Sequence, residues 1–105
     1  MIRIVSEKVP QIRELCGTYG VVELDLFGSA ASGGFDPNRS DLDFLVEFGT
    51  VEGKNIADQY FGLLEALESL FERRIDLVMS RALRNPHLIR SIEETRERLY
   101  ASEVA

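Results

Sequence analysis

The chain has 105 residues, of which 45% are hydrophobic and 29% charged, a balance typical of one soluble globular domain. Its formal charge of −6 opposes direct binding to nucleic acid, because phosphates require a net positive surface. The chain has one cysteine, Cys16, and one histidine, His87, which excludes an internal disulfide and leaves oxygen atoms as the ligands for any metal. Since it has neither a long apolar run nor an apolar leader, we expect an intracellular, cytoplasmic protein with no membrane span.

The first half of the chain contains a helix, a strand and a loop. Apolar residues at spacings of three and four predict a helix over residues 6–19. Alternating residues predict a strand over Val21–Phe27, with Glu23 and Asp25 on the face opposite the buried one. Three glycines and a proline predict a loop over residues 28–39.

The second half alternates strands and helices. The patterns predict a strand over Leu42–Phe48, a helix over Ile56–Phe71 and a strand over Ile75–Met79. Asn85 and Pro86 then mark the start of a last helix. Four residues form its predicted inward face: Leu88, Ile92, Thr95 and Leu99.

This order of elements predicts an α/β (α+β) domain in which a small mixed β-sheet is flanked by helices. Three strands are few for this length. The order leaves open a fourth strand at a sheet edge, formed either by residues 1–5 or by the chain after Met79.

Two carboxylates flank the start of the second predicted strand. Asp41 and Asp43 are two residues apart, so on a strand their side chains point to the same face. Their mutual repulsion requires a cation, hydrogen-bond donors or protonation of one of them. Because the chain offers no soft ligands, Mg²⁺ is the natural cation. The alternative is that Asp41 caps the loop and Asp43 faces solvent.

A third carboxylate, Asp76, interrupts a strand that otherwise has the composition of a core strand. If this strand lies beside the previous one, Asp76 would join the other two acids and complete a set of three oxygen ligands for one or two ions. The alternative is a salt bridge from Asp76 to Arg73 or Arg74 on an exposed edge.

Gly28 and Ser29 follow the first strand directly. A glycine there lets backbone amides approach an anion, and the serine hydroxyl adds a donor, which suits a phosphate group. The alternative is a flexible connection without a ligand.

Residues 26–48 read LFGSAASGGFDPNRSDLDFLVEF, and residues 73–101 read RRIDLVMSRALRNPHLIRSIEETRERLYA. The first segment resembles the nucleotidyltransferase signature, in which Gly-Ser after a strand is followed by Asp-x-Asp. The second resembles the strand that carries the third carboxylate and the closing helix. Together they resemble the minimal nucleotidyltransferases of the polymerase-beta-like superfamily.

The resemblance implies a single minimal nucleotidyltransferase domain over residues 1–105, which transfers a nucleoside monophosphate from ATP to an acceptor hydroxyl and releases pyrophosphate. It implies that Asp41, Asp43 and Asp76 are the catalytic acids and the ligands of one or two Mg²⁺ ions. Asp76 is also implied to help deprotonate the acceptor. Gly28 and Ser29 are implied to hold the triphosphate.

Small members of this family are often encoded beside a HEPN-domain partner, and the two act as antitoxin and toxin. The resemblance therefore implies an antitoxin that transfers AMP to a toxin tyrosine, and it leaves both homo- and hetero-oligomers open. A non-catalytic antitoxin that neutralises its partner by complex formation is the second interpretation. A small-molecule nucleotidyltransferase, of the kind that modifies aminoglycosides, is the third.

The chain departs from the family pattern in two places. Ser32 stands where the family usually has arginine, and the loop of eleven residues, 30–40, is one residue longer than is common. Loss of that arginine removes a phosphate contact, which predicts weaker or altered use of the nucleotide, whereas the effect of the longer loop stays open. Five arginines within residues 73–90 offer charge to a triphosphate or an acidic partner, or form a solvated face.

Overall fold

The computed structural model describes residues 1–38 and 41–102. In chain order its elements are α1 (Arg3–Ser6), α2 (Val9–Thr18), β1 (Val21–Phe27), α3 (Ser29–Ser32), β2 (Leu42–Phe48), α4 (Ile56–Phe71), β3 (Ile75–Met79), a 3₁₀ turn (Ser80–Ala82), α5 (Pro86–Thr95) and β4 (Glu97–Ala101). Within this described part of the chain, no helix has the length and apolar character needed to cross a bilayer.

Over residues 1–38 and 41–102, four strands form one mixed sheet in the order β3-β2-β1-β4. Strand β1 is antiparallel to β2 and β4, whereas β2 and β3 are parallel and joined through α4. This confirms the predicted mixed sheet. The register pairs Phe27 with Asp43 and Asp43 with Asp76, which places the two acids side by side near one end of the sheet.

The two faces of the sheet are covered by different helices. Helices α2 and α4 bury Ile12, Cys16 and Leu63 against β1 and β2 on one face. On the other face, Ile92 of α5 packs against Phe27 and Leu45. Each fully buried aliphatic side chain contributes about 1.5–3 kcal/mol through the hydrophobic effect. The helices therefore fix the positions of the strands that carry the acids.

The C-terminal segment differs from the predicted helix. Helix α5 ends at Thr95, and Leu99 reaches the core from strand β4 rather than from the helix. The backbone at Arg96 turns to φ −56° and ψ 136°, which ends the helical path. A spacing of four residues from Thr95 to Leu99 fits a helix, but two positions so placed can also belong to a helix end and the next strand.

The N-terminal half also shows differences. The predicted first helix is divided into α1 and α2, and α2 begins at Val9 with Pro10 in its first turn. The predicted loop over residues 28–39 contains the single helical turn α3, while Arg39 lies outside the described residues. The fourth strand is the one after Met79, since residues 3–6 are helical.

Asp25 is buried, contrary to the predicted polar face of β1. Only 1% of its surface is exposed. Its Oδ2 accepts hydrogen bonds from Nε of Arg96 at 2.8 Å and from Nη2 of the same residue, and its Oδ1 accepts from Nε of Arg98 at 2.6 Å. The hydrogen bond to Asp25 raises the pKa of Arg98. Two arginines from the chain around β4 thus compensate the buried charge.

We expect Asp25→Asn to lower the free energy of unfolding by about 2 kcal/mol, because it removes the anion of a buried ion pair. The loss is limited because the two arginines are half-exposed and regain water. Urea denaturation measures the change. Glu23→Gln is the control, since half-exposed Glu23 lies 3.5 Å from Arg98 and should change stability by less than about 0.5 kcal/mol. Equal losses in the two variants would contradict a structural role for the buried carboxylate.

Candidate active site

Asp43 and Asp76 lie on the same face of two parallel strands, opposite each other in the register. Asp43 is half-buried, whereas Asp76 is exposed because β3 is an edge strand whose Ile75 and Leu77 point the other way. The interpretation of Asp76 as a charge within a core strand is therefore wrong. Asp76 nevertheless lies beside Asp43, as the sequence predicted for the case in which the two strands are neighbours.

The pKa of Asp43 is raised from 3.8 to about 6. Burial is the largest cause, followed by the charges of Asp76 and Asp41 and a hydrogen bond between the carboxyl groups of Asp43 and Asp76. Carboxylates that crowd in this way oppose one another's ionisation, and a bound cation would relieve the repulsion.

Asp41 immediately precedes β2 and lies near Arg74. Its Oδ2 is 3.9 Å from Nε of the exposed Arg74. Among the described residues Asp76 forms no salt bridge to Arg73 or Arg74, contrary to the alternative interpretation. Over residues 1–38 and 41–102, no three acidic, histidine or cysteine side chains already converge as the ligands of one ion. The structure thus places Asp43 and Asp76 together, with Asp41 beside them and directed toward Arg74.

The donor set nevertheless suits a hard divalent ion. All three side chains offer carboxylate oxygens, the ligands that Mg²⁺ prefers, and after burial the negative charges of Asp76 and Asp41 are the next causes of the raised pKa of Asp43. Mg²⁺ would be held by Asp43 and Asp76, with Asp41 as the third ligand.

Gly28 brings the Gly-Ser turn against Asp43. Its φ of 74° lies in the region that favours glycine, and a Cβ built on it would be 2.5 Å from Asp43 Oδ2. Its backbone N–H donates to Thr95 Oγ1 at 2.8 Å. Ser29 follows as the first residue of α3. Glycine is therefore required both by the backbone conformation and by the close approach of the carboxylate.

The remaining loop is only partly described. Ser32 is the exposed last residue of α3, and the guanidinium of Arg73 lies 5.1 Å from the centre of the Phe35 ring. Arg39 and Ser40, the last residues of the predicted longer loop, lie outside the described residues.

Comparison with known proteins identifies the family. The model of the family described as nucleotidyltransferase domain matches residues 6–99. The chain belongs to the nucleotidyltransferase family. A candidate protein adenylyltransferase of Methanocaldococcus jannaschii is 36% identical to this nucleotidyltransferase over 76 residues, which cover 72% of this chain and 74% of the relative.

Solved structures agree with this assignment. A candidate minimal nucleotidyltransferase superimposes with a TM-score of 0.70 at 32% identity, over 89% of this chain and 90% of the other. A toxin-antitoxin crystal structure with AMP-PNP superimposes with a TM-score of 0.67 at 25% identity, over 90% of this chain and 74% of the other. The nucleotidyltransferase fold implied by the sequence resemblance is thereby confirmed.

A pocket that the sequence did not indicate lies on the same sheet face of the nucleotidyltransferase. It has a volume of about 320 Å³ and begins beyond the pair of Asp43 and Phe27, between the sheet and α5. Four acids contribute to its lining: Glu23, Asp25, Glu47 and Glu93. Arg96, which pairs with Asp25, also lines it. None of the candidate site residues described above is in the lining, so the pocket is distinct from the candidate active site.

We expect Asp43→Asn to stabilise the ion-free nucleotidyltransferase at pH 7.5 by about 1 kcal/mol. This is less than the free energy that corresponds to the whole pKa shift, because solvent screens the half-buried Asp43. The folded state binds the Asp43 proton more tightly than the unfolded state does, so ionised Asp43 lowers stability above pH 6. This penalty fades as the pH falls from 6 through 3.8, the ordinary pKa of the group.

Urea denaturation in EDTA at several pH values measures the effect. The advantage of Asp43→Asn should be largest at pH 7.5 and should shrink steadily toward acid. An advantage that is independent of pH would contradict the electrostatic origin.

Proposed function

We propose that this nucleotidyltransferase transfers AMP from ATP to a hydroxyl group of a HEPN-domain toxin, a tyrosine in particular, and acts as its antitoxin. The observation that carries the proposal is that Asp43, the neighbour of Asp76 in the strand register, lies directly against Gly28 of the Gly-Ser turn. It is supported by similarity to a relative named as a candidate protein adenylyltransferase and to a toxin-antitoxin complex with AMP-PNP.

The Gly-Ser turn and the three acids would have different roles, the first in binding the triphosphate and the second in binding the metal ion. The Ser29 hydroxyl and the backbone near Gly28 would hold the triphosphate. Asp41, Asp43 and Asp76 would hold Mg²⁺, which when bound supplies positive charge to the phosphate oxygens.

In the transfer step, the acceptor oxygen forms a bond to the α-phosphorus. The bond from that phosphorus to the oxygen bridging to the β-phosphate breaks, and pyrophosphate leaves with the electron pair. Asp76 would take the proton of the acceptor hydroxyl.

The exposure of Asp76 favours an acceptor that belongs to another macromolecule. Asp76 lies on an edge strand and is open to solvent, so a tyrosine on the surface of a partner can reach it without entering a cavity. A protein acceptor brings its own surface, which suits a small catalytic domain.

A non-catalytic antitoxin is the second candidate, favoured by the orientation of Asp41 toward Arg74 and by the lack of three converging ligands over residues 1–38 and 41–102. One experiment separates the two. The product of the neighbouring gene is incubated with Mg²⁺, ATP labelled at the α-phosphate, and either wild type or Asp41→Asn/Asp43→Asn. Catalysis predicts label on the partner that the double variant no longer adds. If the double variant fully neutralises the toxic activity of the partner, and wild type adds no label, the result would support neutralisation by binding alone.

A further inference from the structure

Thr95, the last residue of α5, connects that helix to the Gly-Ser turn through its hydroxyl group. Its Oγ1 donates to the Ser91 carbonyl at 2.6 Å and accepts from the backbone N–H of Gly28 at 2.8 Å. Because the hydroxyl proton is committed to the helix, the lone pairs of Oγ1 are directed to Gly28. The residues joined by this bond are 67 positions apart in the chain.

Gly28 is held from two sides. On one side its N–H is bound to Thr95, and on the other its Cα lies so close to Asp43 that a Cβ would come within 2.5 Å of Oδ2. Glycine has the widest conformational freedom of any residue, so a glycine turn keeps one conformation only when its surroundings restrain it. Within the described contacts, Thr95 supplies the hydrogen bond that restrains the Gly28 N–H.

We propose that Thr95 is a positioning residue for nucleotide binding: its hydroxyl fixes the Gly28 peptide and thereby sets Ser29 relative to Asp43. This inference rests on the proposed role of Gly28 and Ser29 in holding the triphosphate. Thr95 acts through Gly28. Groups that hold a ligand must be placed to within about 0.5 Å, so a loosened turn lowers affinity for the nucleotide.

The chain offers a matched control for this bond. Thr18 Oγ1 also donates to the carbonyl four residues earlier, that of Glu14, at 3.1 Å, but it is exposed and lies on α2. Thr18→Val therefore removes the same bond within a helix without affecting the turn. Thr95→Val removes the hydroxyl with little change in volume, Thr95→Ser retains it, and Thr95→Ala removes it with fewer steric demands if the valine variant does not fold.

We expect Thr95→Val to raise the KM for ATP in the transfer reaction about tenfold while kcat changes less than about threefold, the pattern of weakened ground-state binding. Thr95→Ser and Thr18→Val should remain within about twofold of wild type. Calorimetry with Mg²⁺ and AMP-PNP should report the same tenfold loss of affinity. Amide hydrogen exchange at Gly28 should accelerate in Thr95→Val and Thr95→Ala only.

The outcomes separate this inference from the proposed function. If wild type neither binds nor transfers the nucleotide, the proposed function fails, and Gly28 exchange still reports on the restraint by Thr95. If wild type is active and Thr95→Val or Thr95→Ala retains its KM, its affinity for AMP-PNP and its Gly28 exchange, the positioning role is overturned. A fall in kcat at unchanged KM and unchanged affinity would also overturn it.

Discussion

Asp43→Asn is expected to lower the rate of AMP transfer by about 10³-fold, because it removes one of the carboxylates that, with Asp76, would hold Mg²⁺ beside the reacting phosphate. The register places these two carboxylates side by side and the Gly-Ser turn directly against Asp43. The same change should raise stability at neutral pH, since ionised Asp43 is unfavourable in the folded protein. A variant that is more stable but inactive is the signature of a charge retained for function.

Initial rates of label transfer from ATP at saturating partner measure this loss. Glu47→Gln is the matched control, because Glu47 lies on the same strand and the same face but is exposed near the other end of β2. It should remain within about twofold of wild type. A loss below about tenfold for Asp43→Asn, or an equal loss for Glu47→Gln, would remove Asp43 from the reaction.

Gly28→Ala is expected to abolish nucleotide binding and to lower the free energy of unfolding by about 2–3 kcal/mol. Alanine is strained at a φ of 74°, and its Cβ would lie 2.5 Å from Asp43 Oδ2. Either the turn or the Asp43 carboxylate must move. In both cases the geometry between the Gly-Ser turn and the acids is lost.

Gly33→Ala is the control that places an alanine at positive φ without the clash. Gly33 has a φ of 90° with no atom within 4 Å of a Cβ, so alanine there carries only the backbone strain of about 1–2 kcal/mol. Urea denaturation and calorimetry with AMP-PNP compare the two variants. Equal effects on nucleotide affinity would show that proximity to Asp43 is unimportant.

The sequence predicts the strands of the sheet, and the face on which the acids of β2 lie, because local patterns determine these features. The alternating residues of β2 set which side of the sheet Asp43 faces, and Leu42 and Phe44 are buried as the pattern requires. The resemblance in residues 26–48 and 73–101 identifies the family because it combines motifs in a fixed order. The position of Asp76 beside Asp43 followed once β3 was placed next to β2.

Features that depend on distant partners could not be predicted in this way. Asp25 is buried because Arg96 and Arg98 reach it from the chain around β4, and the periodicity assigned that segment to a helix. The hydrogen bond from Gly28 to Thr95 joins two segments that no local pattern connects. The orientation of Asp41 toward Arg74 is likewise set by tertiary placement rather than by spacing.

The most direct test of the proposed reaction compares ATP labelled at the α-phosphate with ATP labelled at the γ-phosphate. The nucleotidyltransferase, Mg²⁺ and the product of the neighbouring gene are incubated with each, and the partner is isolated and digested. Transfer of AMP predicts label on a partner tyrosine from the α-labelled nucleotide alone, with the γ-label recovered in pyrophosphate. Label from the γ-position, or no label from the α-position, would contradict AMP transfer.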